Sequence, residues 1–215
     1  MSSKITAKRA VLTSFYVDLI DILLNLVISV LTGSIVMLAE LFQAMADLVS
    51  SALLFIGLKR SKKEIYFWTT LSALVMLLFA STLSFYYGLQ RFLNPQALDN
   101  IVLAYAALIF AVVSNGYAFL ISVKRILNGK SIFRLFRAFE TTPFITTKNT
   151  FVLDLMGMSS ALVGLIALVL YQTSGEMRFD GVGAMAIGIV LGILSINLIQ
   201  DLKYLSKRKV SVKEI

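Results

Sequence analysis

The sequence contains no cysteine, no histidine and only two prolines in 215 residues. The absence of cysteine excludes disulfides, thiolate metal sites and cysteine nucleophiles. The absence of histidine excludes imidazole ligands and every catalytic triad that needs an imidazole base. Charge is also scarce, because 15% of the residues are charged and 58% are hydrophobic, with a mean hydropathy of +0.85. That balance lies outside the range of soluble globular domains and indicates a membrane protein.

Six apolar stretches follow one another along the chain. They cover residues 12–31, 35–58, 65–89, 101–123, 143–172 and 181–200. Each has roughly the 20 residues that a helix needs to cross about 30 Å of hydrocarbon. The sequence therefore predicts an all-α membrane protein with six transmembrane helices. Residues 1–215 form a single transmembrane domain in this prediction, and residues 201–215 form a short basic cytoplasmic tail.

Lysine and arginine are distributed unevenly among the tails and turns. Eighteen fall in the two tails and in the second and fourth turns, when Lys148 is counted with the fourth turn, whereas two fall in the third and fifth turns. Because basic segments tend to stay in the cytoplasm, both termini are predicted to be cytoplasmic, in a plasma (inner) membrane. The net charge of +8 is then explained by topology and by contact with anionic lipid. No nucleic-acid partner is expected.

Five acidic residues lie inside the apolar stretches: Asp18, Asp21, Glu40, Asp47 and Asp154. Each costs about 2.5–3.5 kcal/mol at the centre of a membrane helix, so such residues usually mark a polar pathway. Asp47 lies about 17 Å from either end of the second stretch. Asp154 reaches a similar depth, about 16 Å, if the fifth helix begins at Pro143. If that helix begins near Thr150, Asp154 lies close to the cytoplasmic surface instead.

Further polar residues share helix faces with these acids. Gln43 precedes Asp47 by one turn, and Thr150 precedes Asp154 by one turn, so oxygen atoms line both faces. Gln43 and Thr150 can equally serve helix packing. Asp18, Asp21 and Asn25 form one stripe along the first helix, which predicts an access path or an extra ligand.

Three other expectations concern the remaining polar and small residues. Glu40, five residues from the outer end of its helix, is expected to reach the membrane interface. Asp180 is expected to cap the N-terminus of the sixth helix. The small residues of the fifth and sixth helices are expected to allow close contact between those two helices.

Several motifs together resemble the cation diffusion facilitator (cation efflux) family, in the order that the family shows. The matching segments are Thr32-Gly33-Ser34-Ile35-Val36-Met37-Leu38-Ala39-Glu40, Gln43-Ala44-Met45-Ala46-Asp47-Leu48-Val49-Ser50-Ser51, Gly57-Leu58-Lys59, Glu64-Ile65-Tyr66-Phe67-Trp68, Arg91-Phe92-Leu93-Asn94-Pro95, Asp154 with Ser160-Ala161-Leu162-Val163-Gly164, and Phe179-Asp180-Gly181. They extend across nearly the whole chain. The resemblance covers the membrane domain and lacks the family's cytoplasmic C-terminal domain.

The resemblance implies a six-helix, usually dimeric exporter that exchanges divalent metal cations for protons. In this family a His-or-Asp-x-x-x-Asp pair on the second helix and another on the fifth bind the ion. Asp47 and Asp154 match the second member of each pair, whereas Gln43 and Thr150 occupy the first positions. Oxygen ligands suit Mn²⁺, Fe²⁺ or Mg²⁺ better than Zn²⁺, although aspartate also binds zinc.

We therefore predict a secondary transporter that exports divalent cations in exchange for protons, with the metal as substrate and no cofactor. Asp47 and Asp154 are the predicted ligands, with Gln43 and Thr150 as weaker ones. The alternative is a transport-inactive relative that pairs with a full-length exporter. An intramembrane aspartyl protease is disfavoured, since the Tyr-Asp pair and Gly-x-Gly-Asp motif of those enzymes do not occur here.

Overall fold

A computed structural model of the chain describes residues 7–58, 62–129, 131–142 and 145–207. Within these, it describes the side chains of residues 19–57, 64–129, 131–142 and 145–205. The described residues form α1 (Ala7–Thr32), α2 (Ile35–Leu58), α3 (Lys62–Val75), α4 (Thr82–Leu93), α5 (Ile101–Leu127), α6 (Leu135–Thr141), α7 (Ile145–Ser174) and α8 (Arg178–Lys207). A π-helical segment, Met76–Ser81, joins α3 to α4, and Ile132–Arg134 form a short 3₁₀ turn.

Six membrane spans follow from these helices. Spans 1 and 2 are α1 and α2, span 3 is α3 with the π-helical segment and α4, and spans 4, 5 and 6 are α5, α7 and α8. Within the described residues, five segments are long and apolar enough to cross a bilayer: Ile35–Gly57, Glu64–Leu93, Ile101–Leu127, Ile145–Ser174 and Arg178–Leu205. A shorter apolar segment, Leu19–Thr32, belongs to α1. The predicted all-α membrane fold is confirmed, and the bounds of span 2 are those predicted.

The outer surface of the bundle is apolar. Large hydrophobic side chains are exposed on every span, and Val30 of α1 and Val102 of α5 each expose 74% of their surface. A soluble monomer rarely exposes so much contiguous apolar surface, whereas lipid accommodates it. The chain is an integral membrane protein.

Several predicted boundaries were wrong, because a search for apolar stretches misses charged helix ends. The basic segment Lys124–Thr142, predicted as a turn, contains the end of α5 and the whole of α6. Helix α8 continues to Lys207, inside the predicted tail. Helix α7 begins at Ile145, which rules out a start near Thr150, while Pro143 lies outside the described residues.

Most glycines of span 6 allow close contact with span 3, whereas span 5 was the predicted partner. A methyl group on Gly188 would lie 2.7 Å from the Phe85 backbone nitrogen, and one on Gly181 would lie 2.6 Å from that of Phe92. Only glycine permits so close a backbone approach. Ser81 Oγ also donates a hydrogen bond to the Gly188 carbonyl, at 2.7 Å. Gly183 does contact span 5, at Ala167. Spans 3 and 6 therefore form a tightly packed pair.

Asp180 caps a different helix from the one predicted. It lies inside the first turn of α8, and its buried carboxylate accepts hydrogen bonds from the backbone of α2. Ile35 N donates at 2.9 Å and Val36 N at 3.1 Å, while Ser34 Oγ donates at 2.7 Å. The free N–H groups at a helix start attract an anion, and the sequence alone does not show which helix start is nearest.

Arg91 of α4 completes this buried cluster. Its Nε lies 3.5 Å from Asp180 Oδ2, with 7% of the arginine side chain and none of the aspartate exposed. A second guanidinium nitrogen donates to the Gly33 carbonyl, and a third donates to Gln96. We call Asp180, Arg91 and the start of α2 the capping cluster. It joins spans 2, 3 and 6 at the end of the bundle that carries Gly33, the Gly33 end.

A second ion pair lies at the opposite end of the bundle. Lys148, counted as a loop residue in the sequence, lies inside α7 and is fully buried. Its Nζ donates to Asp201 of α8 at 2.8 Å and to the Glu140 carbonyl at 3.3 Å, and it lies 4.9 Å from the Phe139 ring centroid. Lys148 thus links spans 5 and 6 to α6.

Lys148 and Asp201 are buried to different extents, which predicts unequal losses of stability when each is replaced. Asp201 exposes 24% of its side chain whereas Lys148 exposes none, so only the carboxylate can be hydrated when its partner is removed. Asp201→Asn should therefore destabilise the protein by about 3 kcal/mol, and Lys148→Met by on the order of 1 kcal/mol. Thermal unfolding of both variants in detergent shows which substitution causes the larger loss of stability. A larger loss for Lys148→Met would contradict this account of the pair.

Candidate cation site

A cavity of about 260 Å³ lies between spans 1, 2 and 4. Its polar lining residues are Asp21 and Asn25 of α1, Glu40, Gln43 and Asp47 of α2, and Ser114 and Asn115 of α5. The apolar remainder is Leu24, Ile28, Ala44, Ala107, Phe110 and Ala111. A cavity with so many oxygen atoms inside an apolar bundle is suited to a polar or charged ligand.

Helical periodicity explains why these side chains meet. Glu40, Gln43 and Asp47 follow an i, i+3, i+7 spacing, which places them on one face of α2. Asp21, Asn25 and Ile28 follow an i, i+4, i+7 spacing, which likewise places them on one face of α1. The two helices run in opposite directions from the Gly33 turn, so Asp21 and Asp47 both lie about 17 Å from that turn. The two aspartates therefore line the cavity at a similar depth.

The two α2 residues nearer the Gly33 end are deeply buried. Glu40 exposes 5% and Gln43 exposes 3% of the residue surface. Glu40 Oε1 and Gln43 Oε1 accept no hydrogen bond from any described residue. The expectation that Glu40 reaches the membrane interface was wrong, because its helix face turns inward toward α1 and α5.

The predicted residues of span 5 do not line this cavity. Asp154 is half-buried and accepts a hydrogen bond from Ser122 Oγ of α5. Thr150 is also half-buried. Asn115 stands between the cavity and α7: its Nδ2 donates to the Gly157 carbonyl at 3.4 Å. The structure thus brings Asp47, Gln43, Asp21 and Asn25 to one cavity, and the participation of Asp154 and Thr150 stays a prediction.

The side chain of Asp18 lies outside the described part of the chain. Among the side chains that the structure describes, no three acidic groups come close enough together to hold a metal ion. The carboxylates are instead spread along the cavity, since Glu40 and Asp47 are seven residues apart, or about 10 Å along α2.

Sequence reasoning missed the polar residues of span 4. Asn115 lines the cavity, and Ser122 holds Asp154. The signal was present, because these two residues are seven apart and interrupt an otherwise apolar helix on one face. Neutral polar side chains cost less to insert into a membrane than acids do, so they interrupt a hydropathy pattern less clearly.

A family model described as the cation efflux transmembrane domain matches residues 11–204. The chain belongs to the cation efflux family. The resemblance drawn from the motifs is thereby confirmed over most of the chain. Asp47 and Gln43 both lie within the matched range.

Curated relatives come from animals and a plant. The proton-coupled zinc antiporter SLC30A9, mitochondrial, of Xenopus laevis is 25% identical over 211 residues, which cover 89% of this chain and 37% of the relative. The Homo sapiens antiporter of the same name is 23% identical, covering 78% and 32%. Metal tolerance protein C4 of Arabidopsis thaliana is 22% identical, covering 90% and 46%. The chain spans about a third to nearly a half of the length of these relatives, whose names concern transport and metal tolerance.

Proposed function

We propose that the protein is a secondary transporter that exports divalent metal cations from the cytoplasm in exchange for protons. The observation that carries the proposal is the cavity in which Asp47 and Gln43, at the family's motif positions on span 2, face further carboxylate and amide groups. A polar cavity of this kind inside the membrane marks an ion pathway. Family membership and the names of the relatives support cation transport.

The proposed transport cycle uses a carboxylate pair. Asp47 binds the ion directly, and Asp154 joins it when the helices move, after releasing its hydrogen bond from Ser122. Gln43 and Thr150 supply weaker oxygen ligands. A buried carboxyl group holds a proton in the empty site, and the incoming cation displaces it. Proton exchange then needs no histidine.

The geometry of the bundle supports alternating access. Spans 3 and 6 are packed backbone to backbone through Gly181 and Gly188, whereas the cavity lies among spans 1, 2 and 4. We propose that the cavity helices tilt against the tightly packed pair, as in transporters that rock around a central site. A homodimer in a plasma (inner) membrane, with both termini cytoplasmic, completes the proposal.

The donor chemistry favours hard ions. The polar lining offers carboxylate, amide and hydroxyl oxygens, and the chain has neither imidazole nor thiolate to offer. Mn²⁺, Fe²⁺ and Mg²⁺ accept such ligands readily, whereas Zn²⁺ gains most from nitrogen and sulfur. Zinc, named for two of the relatives, is expected to bind here with lower affinity than Mn²⁺.

Reconstituted protein tests the function and the ion together. Proteoliposomes that contain a pH-sensitive dye should show proton movement when Mn²⁺ is added, and a smaller response with Zn²⁺, whereas protein-free liposomes should show none. Binding calorimetry with Mn²⁺, Fe²⁺, Zn²⁺ and Mg²⁺ should likewise show a higher affinity for Mn²⁺ than for Zn²⁺. Absence of flux with all four ions, together with co-purification of a larger family member, would instead support the transport-inactive alternative.

A further inference from the structure

Glu40 is a buried acid for which the proposed cycle has no use. It exposes 5% of its surface, and its Oε1 atom accepts no hydrogen bond from any described residue. One turn further along α2, the equally buried Gln43 also directs an unpartnered oxygen at the cavity. A carboxylate kept only for helix packing would be expected to have its oxygens hydrogen-bonded, since an unsatisfied polar atom in hydrocarbon is costly.

The described residues around Glu40 provide oxygen atoms and no cationic side chain. Asp21 and Asn25 of α1 line the same cavity as Glu40, and the Ser160 hydroxyl of α7 hydrogen-bonds to the Glu40 carboxyl. No lysine or arginine is among the residues that line the cavity in the described chain. Among the lining residues that the structure describes, the carboxyl groups therefore face no basic side chain, and a bound cation would balance the negative charge that they carry when ionised.

Glu40 is also displaced from the proposed central site. It lies five residues from the start of α2, or about 7 Å, whereas Asp47 lies about 18 Å from the same point. The two residues are about 10 Å apart along the helix axis, several times the 2.0–2.6 Å of a metal–oxygen bond, which favours a separate ion at each carboxylate. The cavity connects the two positions, because residues at both depths line it.

We propose that Glu40, with Gln43 and Asn25, forms a second station for the divalent cation, between Asp47 and the Gly33 end of the bundle. This inference rests on the proposed transport function and specifies the route of the ion. The ion moves from Asp47 to Glu40 along one face of α2, with Gln43 between them as a shared oxygen ligand. The released ion then leaves toward the Gly33 end.

Carbodiimide labelling tests the station in the unaltered protein. Dicyclohexylcarbodiimide reacts with buried carboxyl groups, and mass spectrometry locates the modified residue. Mn²⁺ should slow labelling of Glu40 by about tenfold or more when the ion saturates the station. The protection should persist in Asp47→Asn protein, because Glu40 binds an ion independently. Labelling of Glu40 at the same rate with and without Mn²⁺ would overturn the proposal.

Substitution provides the second test. Glu40→Gln keeps the shape of the side chain and removes its charge, so the protein should bind one Mn²⁺ fewer per chain and transport about tenfold more slowly. Glu40→Asp, which keeps the charge, should recover part of the Mn²⁺ binding and part of the transport rate. The control is Glu176→Gln, which makes the same change at an exposed position and should alter neither. Normal Mn²⁺ stoichiometry and flux in Glu40→Gln protein would refute the station.

These measurements separate the station from the proposed function. If the wild-type protein transports and Glu40 is neither protected nor needed, the station fails and the transporter proposal stands. If the wild-type protein moves no ion but Mn²⁺ still protects Glu40 in Asp47→Asn protein, the transporter proposal fails and the binding site stands.

Discussion

Replacing Asp47 by Asn is expected to lower Mn²⁺-driven proton flux by about a hundredfold or more, because the ion loses a charged ligand worth on the order of 3 kcal/mol. The substitution preserves the size of the side chain and removes both the negative charge and the exchangeable proton. Binding and proton coupling should therefore be lost together. Flux measured in proteoliposomes at several Mn²⁺ concentrations shows whether more ion restores the rate.

A matched control distinguishes the site from general charge effects. Asp99→Asn makes the same change at an exposed position outside the spans and should leave flux unchanged. Asp154→Asn should resemble Asp47→Asn if span 5 joins the site during the cycle. Unchanged flux in both the Asp47 and the Asp154 variants would remove the proposed site altogether.

Asp180→Ala is expected to cause the largest loss of stability, about 3–5 kcal/mol, because it leaves the buried Arg91 without its partner. The same change deprives Ile35 N, Val36 N and Ser34 Oγ of their acceptor. Asp180→Asn keeps one acceptor oxygen and should be milder. Thermal unfolding in detergent measures both variants.

The control for this prediction lies nearby in the sequence. Glu176 faces Arg178 at 3.9 Å, and both side chains are about half exposed, so Glu176→Ala should change stability by less than about 1 kcal/mol. If Asp180→Ala unfolded at the same temperature as Glu176→Ala, the capping cluster would not stabilise the start of α2.

Local signals were sufficient to predict the spans. The bounds 35–58 of α2 were predicted correctly because Gly33 and the charges from Lys59 onward mark both ends in the sequence. Gly33 adopts a positive φ of 66°, which suits glycine at a tight turn. Apolar length and turn residues depend only on neighbours in the chain, so a sequence shows them directly.

Which side chains pair with one another depends on packing between distant segments of the chain, and most of these pairings were not predicted. Asp180 is more than 140 residues from the α2 start that it caps, and Lys148 is 53 residues from Asp201. The inward orientation of Glu40 likewise required knowledge of the helices that surround α2. For the cation site, periodicity predicted that Asp47, Gln43, Asp21 and Asn25 lie on polar helix faces, but not which faces meet.

The capping cluster constrains how the candidate cation site can move. Asp180 and Arg91 anchor the first turn of α2 to spans 3 and 6, so α2 cannot slide along its own axis at that end. If the helix tilts about this anchor during the proposed cycle, its displacement grows with distance from the anchor. Glu40 lies about 7 Å from the pivot, Asp47 about 18 Å and Leu58 about 34 Å. A tilt of α2 would thus displace Asp47 more than twice as far as Glu40, and the far end of the helix furthest of all.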